Sequence, residues 1–362
     1  LLAGVRIGVL GAMALAVVLG MQGEFQGTPT LAFAATGGIA AALATRNVRK
    51  RSDAYGAMLK VALTYALMAV AVGLVREWSG EQMVTVASWG MANGLVSVAL
   101  AFTLLAPLEE LSGVDTYLKL LEWSDLNRPL LRRLSLEAPG TFAHTVAVAN
   151  LVEAACTAIG ANGLLGRVGT YYHDIGKLSD PQYFVENQPK GRNPHDALAP
   201  AASAAIIRRH VQDGLAMAEA HGVPRSIRAF ITEHHGTAPL TYFLEKAKSA
   251  SGEYPALGPI SGEFAYAGPV PQSAETAICM LADGAEAVTR SLSDPTPARI
   301  RDVVEQIVAA KMAQGQLRDT PLSMRQLEDV KAQFVRVLTG MYHSRIEYPV
   351  PVAASMPARL IS

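Results

Sequence analysis

Five histidines and two aspartates recur in a fixed order between residues 144 and 283 of this chain: His144, His173-Asp174, His210, His234-His235 and Asp283. Imidazoles mixed with carboxylates, with no cysteine among them, suit a hydrolytic metal centre better than a structural zinc knot. Seven donors are too many for one ion that keeps open positions. They suit two ions about 3.5–4 Å apart that share a carboxylate. Adjacent helical side chains point about 100° apart, so His173 and Asp174 cannot chelate one ion as an i, i+4 pair does. At a helix end they can serve a metal pair. Asp174 is the natural bridge, because a carboxylate has two donor oxygens and a neutral imidazole one free lone pair.

Each residue also has an ordinary reading. A lone histidine on an apolar helix is more often a satisfied core residue, but five in this order are not independent accidents. His234-His235 closes the helical run SIRAFITEH, just before Gly236. Asp283 lies in AICMLADGAEAV, where a carboxylate must be paired, protonated or metal-bound. A second HD pair, His195-Asp196, falls between Pro194 and Pro200 and reads as a loop outside the donor set. Lys177 is placed either to offset charge on a phosphate or leaving group or to complement its own helix dipole. Arg290, seven residues after Asp283, is a candidate phosphate contact or a plain surface arginine.

The elements that must position these residues are helical. Apolar residues three and four apart predict helices near 114–122, 145–159, 164–172, 199–211, 224–231, 273–291, 297–311 and 322–341. Pro224 and Pro297 suit first helical turns. The Gly-, Pro- and Ser-rich stretch 249–272 reads as a loop. No alternating strand series and no repeat interrupts the pattern. The expectation is an all-α fold.

Residues 1–107 hold 11 charged side chains and residues 108–362 the other 51. Four apolar runs, about 4–21, 29–45, 57–75 and 83–107, can each supply the ~20 residues that cross a bilayer. The 46–60 region carries Arg46, Arg49, Lys50, Arg51 and Lys60, while the 21–28 loop has no basic residue and the 76–82 loop only Arg76. The positive-inside rule then puts 46–60 and both termini in the cytoplasm. The expected organisation is transmembrane helices over 1–107, a helical connector over 108–140, a catalytic helical domain over 141–345 and a disordered tail over 346–362. The first residues are Leu-Leu, and truncation or a reduced architecture is expected. Cys156 and Cys279 read as reduced core residues. A net charge of zero gives no support for a nucleic-acid polymer as partner.

The segments EAPGTFAHT, YYHDIGK, ENQ at 186–188, NPHDALAP, EHHGTAPLTYF, YAGPVPQSAETAI and MLADGAEA together resemble the HD superfamily of metal-dependent phosphohydrolases. Within it they are most similar to the seven-transmembrane HD receptors of the PgpH type, the cyclic di-AMP phosphodiesterases. The resemblance is close over about 108–345. It implies an HD-type helical domain on a multi-pass anchor in a bacterial cytoplasmic membrane. It implies two divalent ions, Mn²⁺ or Fe²⁺, one held by His144, His173, Asp174 and Asp283 and the other by Asp174, His210, His234 and His235. Cyclic di-AMP would be cleaved to the linear dinucleotide, with Asp174 and Lys177 in the catalytic machinery. Arg290, Tyr266 and Tyr242 would be substrate contacts, the tyrosines and Phe243 being candidates to stack on a base. A homodimer is compatible with the chain. The departures are Thr145 in place of a serine and the alanines at 265 and 267 around Tyr266. HHGTAPLTYF replaces the continuation that marks cyclic di-GMP enzymes, and GEYP at 252–255 lacks its context. The rival readings are an HD hydrolase of cyclic di-GMP, a nucleoside triphosphate or an alarmone, and a non-catalytic nucleotide receptor.

Overall fold

The structure is a computed structural model that describes residues 4–22, 29–46, 48, 50–189, 193–251 and 262–342. The chain divides into two units, Leu1–Pro129 with Gly222–Ile227, and Leu130–His221 with Arg228–Ser362.

In the first unit, α1 (Gly4–Met21), α2 (Thr30–Ala44), α3 (Arg51–Val75) and α4 (Gly80–Thr103) pack in sequence order, each on the next. Two shorter helices follow, α5 (Leu105–Ser112) and α6 (Tyr117–Trp123). Ser52–Val75 and Gly80–Thr103, 24 residues each, are long and apolar enough to cross a bilayer. At 1.5 Å per residue each reaches about 36 Å. The 15 residues of α2 reach about 22 Å, short of a ~30 Å hydrocarbon core. Four comparable runs in the sequence are thus two full-length helices and two shorter apolar ones. Leu67, Leu74 and Trp89 are 71, 69 and 75% exposed on α3 and α4. Apolar faces of this extent suit lipid and not water. A capping box starts α4: Ser79 Oγ accepts from the Gln82 N–H, and Gln82 Oε1 accepts from the Ser79 N–H.

The second unit contains α7 (Pro129–Glu137), α8 (Pro139–Ala158), α9 (Gly163–Tyr172), α10 (Pro200–Ala220), the end of α11 (Arg225–Glu233), α12 (Thr241–Ser251), α13 (Ala274–Ser291), α14 (Pro297–Ala313) and α15 (Met324–Tyr342). No strand forms among the described residues; a single antiparallel bridge joins Pro239 and Ala265. The fold is all-α, as the periodicity predicts. Neither α7 nor α12 is foreseen there. Pro129 looks like punctuation in the sequence, yet it opens α7, whose Leu130, Leu131 and Leu134 are buried. The main core joins Val148, Leu151 and Val152 of α8, Ile278 and Leu281 of α13, Ile300 and Val304 of α14, and Leu327, Val330, Phe334 and Leu338 of α15. The α15 residues recur at steps of three and four and form one apolar stripe. Cys156 and Cys279 are free and buried in this core.

Candidate metal centre

Each donor sits at a defined place on the helices. His144 is on the buried face of α8, beside Thr141, Thr145 and Val148. His173 caps the C-terminal end of α9, and Asp174 leads into a 3₁₀ turn, Ile175–Ser179. That turn lies directly on α10 because residue 176 is glycine. A Cβ there would stand 1.8 Å from the His210 carbonyl oxygen. His210 is midway along α10, and His234-His235 follow the last residue of α11. Gly236 then turns the chain with φ of 54°. The turn is pinned by Gln316, whose Oε1 accepts from the Thr237 N–H at 2.9 Å. Asp283 comes from the middle of α13.

These seven residues, spread over 140 positions of sequence, meet as two groups. One is His144, His173 and Asp283; the other is Asp174, His210, His234 and His235. Asp174 faces both. Its Oδ1 is 3.5 Å from His210 Nε2 and 3.7 Å from His234 Nε2, and its Oδ2 is 3.3 Å from His173 Nε2.

The imidazole tautomers follow from their outer partners. His173 Nδ1 bonds the Thr170 carbonyl at 2.7 Å, His210 Nδ1 the Ile207 carbonyl at 2.6 Å, and His234 Nδ1 the Phe230 carbonyl at 2.9 Å. A carbonyl only accepts, so Nδ1 carries the proton and Nε2 presents a lone pair inward. His210 Nε2 and His234 Nε2 then face each other at 3.3 Å with no proton between them. His173 Nε2 and Asp174 Oδ1 are buried without a hydrogen-bond partner. Inward lone pairs and an orphaned carboxylate oxygen are what a bound cation would satisfy. The donor set fits divalent metal.

Electrostatics keeps most of these donors in ligand form. Burial opposes ionisation of Asp174, but Lys177 and the surrounding imidazoles outweigh it and hold the carboxyl well below its usual range. Asp283 is also held low, with His144 outweighing burial. Burial pushes His234 down to about 3, and pushes His210 and His235 down as well. His144 differs. Burial disfavours its charge, yet Asp283 Oδ1 at 2.9 Å from Nε2 and Glu286 on Nδ1 lift it to about 9. A metal at Nε2 would take the place of that proton.

The other candidates are dispersed. Lys177 Nζ lies 2.7 Å from both Asp174 Oδ2 and Glu186 Oε1, so its ammonium holds the Asp174 carboxylate. Glu186 is fixed in turn by the Thr141 hydroxyl at 2.9 Å. The Tyr266 ring stacks on His235, centroids 4.1 Å apart. Together with Arg208, Gln212 and Thr232 it lines a cavity of about 380 Å³. Tyr242 is 63% exposed on α12, whereas Phe243 is buried with Ala204 and Phe264. Arg290 is in neither group; its Nε is 3.8 Å from Glu286 Oε1. His195 is also outside, bonded through Nε2 to the Tyr183 carbonyl and packed against Tyr183 and Phe243. GEYP at 252–255 lies outside the described residues. Among the site residues that go unnoticed in the sequence are Glu286 and Arg208. Glu286 stands three positions after Asp283, on the same helix face, and that spacing is its one signal. Arg208 donates through Nη1 to the Gly262 and Ala265 carbonyls and so clamps the Tyr266 segment to α10.

Residues 1–116 match the family described as 7TM receptor with intracellular HD hydrolase, and residues 141–288 match the HD domain. The HD domain of L. monocytogenes phosphodiesterase PgpH, solved in complex with cyclic-di-AMP, is 39% identical with a TM-score of 0.57. The match covers 61% of this chain and all of that one. This chain belongs to the 7TM receptors with an intracellular HD hydrolase. Two curated proteins are similar along most of the chain. The cyclic-di-AMP phosphodiesterase PgpH of Bacillus subtilis (strain 168) is 38% identical over 357 residues, 96% of this chain and 49% of its own length. Its counterpart in Listeria monocytogenes serotype 1/2a (strain 10403S) is 35% identical over 306 residues, 84% of this chain and 42% of its own length. The chain spans about half the length of the curated relatives it matches. The two matched stretches fall on the apolar helices of the first unit and on the helices of the second that carry the His/Asp cluster.

Proposed function

We propose that this chain is a membrane-anchored, metal-dependent phosphodiesterase that hydrolyses cyclic di-AMP to linear pApA, with its HD domain on the cytoplasmic face of a bacterial membrane. The observation that carries the chemistry is Asp174, whose two oxygens face two separate groups of imidazoles. His144, His173 and Asp283 would hold one divalent ion, and His210, His234 and His235 the other, with Asp174 shared. Mixed nitrogen and oxygen donors suit Mn²⁺ or Fe²⁺. When bound, such ions polarise a phosphoryl oxygen and make a water acidic enough to attack phosphorus near neutral pH. The chain's own residues prepare the site. Lys177, itself held by Glu186, keeps Asp174 ionised and fixed, which limits reorganisation during reaction. The carbonyls behind His173, His210 and His234 aim three lone pairs inward. Attack at phosphorus with departure of the ribose 3′-oxygen opens one of the two phosphodiester links.

The substrate is argued from the relatives. A domain solved with cyclic-di-AMP is matched over its whole length, and both curated relatives carry that activity in their names. The cavity beside His235 and Tyr266 is a place for a base. Initial rates with Mn²⁺ should favour cyclic di-AMP over cyclic di-GMP by at least tenfold, about 1.4 kcal/mol of transition-state discrimination. Equal rates, or faster cleavage of cyclic di-GMP, would overturn the substrate. Binding of both without turnover in the metal-loaded protein would overturn the enzyme.

A further inference from the structure

Among the four candidate donor imidazoles with a defined Nδ1 partner, three are oriented from within their own helical segment. His173, His210 and His234 each bond a carbonyl three or four residues back. His144 is different. Its Nδ1 meets a side chain, Glu286, from another helix 142 positions away. Glu286 is itself buried, at 1% exposed. Its Oε2 takes His144, and its Oε1 takes the Tyr342 hydroxyl at 2.5 Å. Tyr342 is the last residue of α15 and lies four positions after Leu338, on the stripe that seats α15 in the core. The Arg290 guanidinium, 3.8 Å away, adds positive charge on the same oxygen.

We infer that Glu286 and Tyr342 are positioning residues for the metal: a relay from the end of α15 through a buried carboxylate to His144 that sets the affinity of the ion position formed by His144, His173 and Asp283. A buried carboxylate behind an imidazole fixes the ring, selects the tautomer and makes the inward nitrogen a stronger donor. The Tyr342 hydroxyl keeps that carboxylate from turning, since it occupies the oxygen that His144 does not use. The relay serves one of the two groups. His210 and His234 have their own carbonyl partners, and Asp174 has Lys177. Losing the relay should therefore weaken one metal-binding step and spare the other.

This rests on the two-metal reading above, and its test needs no nucleotide. Detergent-solubilised full chain is stripped with chelator and titrated with Mn²⁺, following bound metal per chain. The wild type should show two binding steps. Glu286→Gln should weaken one step by about 10–100-fold, the range for an outer partner of a metal ligand. Tyr342→Phe, which removes a single hydroxyl, should weaken the same step by a smaller factor, and Glu286→Gln with Tyr342→Phe should be less than additive. The unfolding temperature of the metal-free variants separates this from a structural role. Two unchanged steps in either folded variant would overturn the relay, as would equal weakening of both steps. If Glu286→Gln does not fold, Tyr342→Phe alone decides. A wild-type chain that takes up no Mn²⁺ would overturn the metal reading and the relay with it.

Discussion

Asp174 is the side chain that faces both groups of donors. It is 2% exposed, and the Lys177 ammonium 2.7 Å from Oδ2 holds it ionised against burial. Asp174→Ala removes the shared oxygen donors and leaves Lys177 with Glu186 alone. Turnover should fall by at least the ~10²–10³-fold typical of one lost electrostatic element, with helical content by circular dichroism unchanged. Near-normal rates in the folded variant would refute its role. His195→Ala is the contrast. It loses packing against Tyr183 and Phe243, so it should lower stability and keep the metal.

At the same scale, the histidines set a pH dependence for the metal-free protein. His210, His234 and His235 are depressed, His234 to about 3, against about 6.5 in the unfolded chain. Their contribution is present above pH ~6.5 and is lost as pH falls, because the unfolded chain takes up protons that the fold refuses. His144, raised to about 9, acts the other way: its contribution is full below ~6.5 and lost as pH rises toward 9. Three groups outweigh one. After chelation, the unfolding midpoint should be lower at pH 5.5 than at pH 7.5. An equal or higher midpoint at pH 5.5 would contradict the assignment.

Among the elements, the contact that matters most is the 3₁₀ turn after α9 against α10. It brings Asp174 beside His210 and exists only because residue 176 has no Cβ. In Gly176→Ala the added carbon would meet the His210 carbonyl at 1.8 Å and the Gly214 nitrogen at 2.5 Å. Both are backbone atoms and cannot swing aside. The turn must lift off α10, at or above the ~1–3 kcal/mol typical of overpacking, and Asp174 moves with it. Metal content and the unfolding midpoint should both drop. A variant with normal metal content would show that the turn is less constrained than its geometry implies.

For the whole molecule, the basic 46–60 region and the catalytic unit should share one side of the membrane. Ser52 lies in the first turn of α3 and Ser79 caps α4, so one full-length apolar helix separates them. Cysteine at Ser52 should resist an impermeant thiol reagent in intact cells, and cysteine at Ser79 should react. The native Cys156 and Cys279 are buried and give little background. The reverse pattern would put the HD domain on the wrong side for a cytosolic nucleotide.

The seven donors could be read from the chain because their types are rare on apolar helices, and a buried histidine or aspartate needs a partner. Helix positions were legible wherever one face is continuously apolar, as along α15. They were not where a proline hid a helix start, as at α7. The lengths of α1 and α2 were not legible either, because an apolar run does not say where a helix ends. Residue spacing did not say how the donors divide; the resemblance implied it, and tertiary structure brings the same two groups together with Asp174 facing both. Tertiary structure alone turned Lys177 onto Asp174 and Glu186, set His195 against Tyr183, and placed Glu286 and Tyr342 behind His144. The reason is physical. Periodicity reports which face of a helix is buried, whereas these contacts join residues up to 142 positions apart. They depend on how helices approach and in what register, and at Gly176 on a backbone contact that only an absent side chain permits.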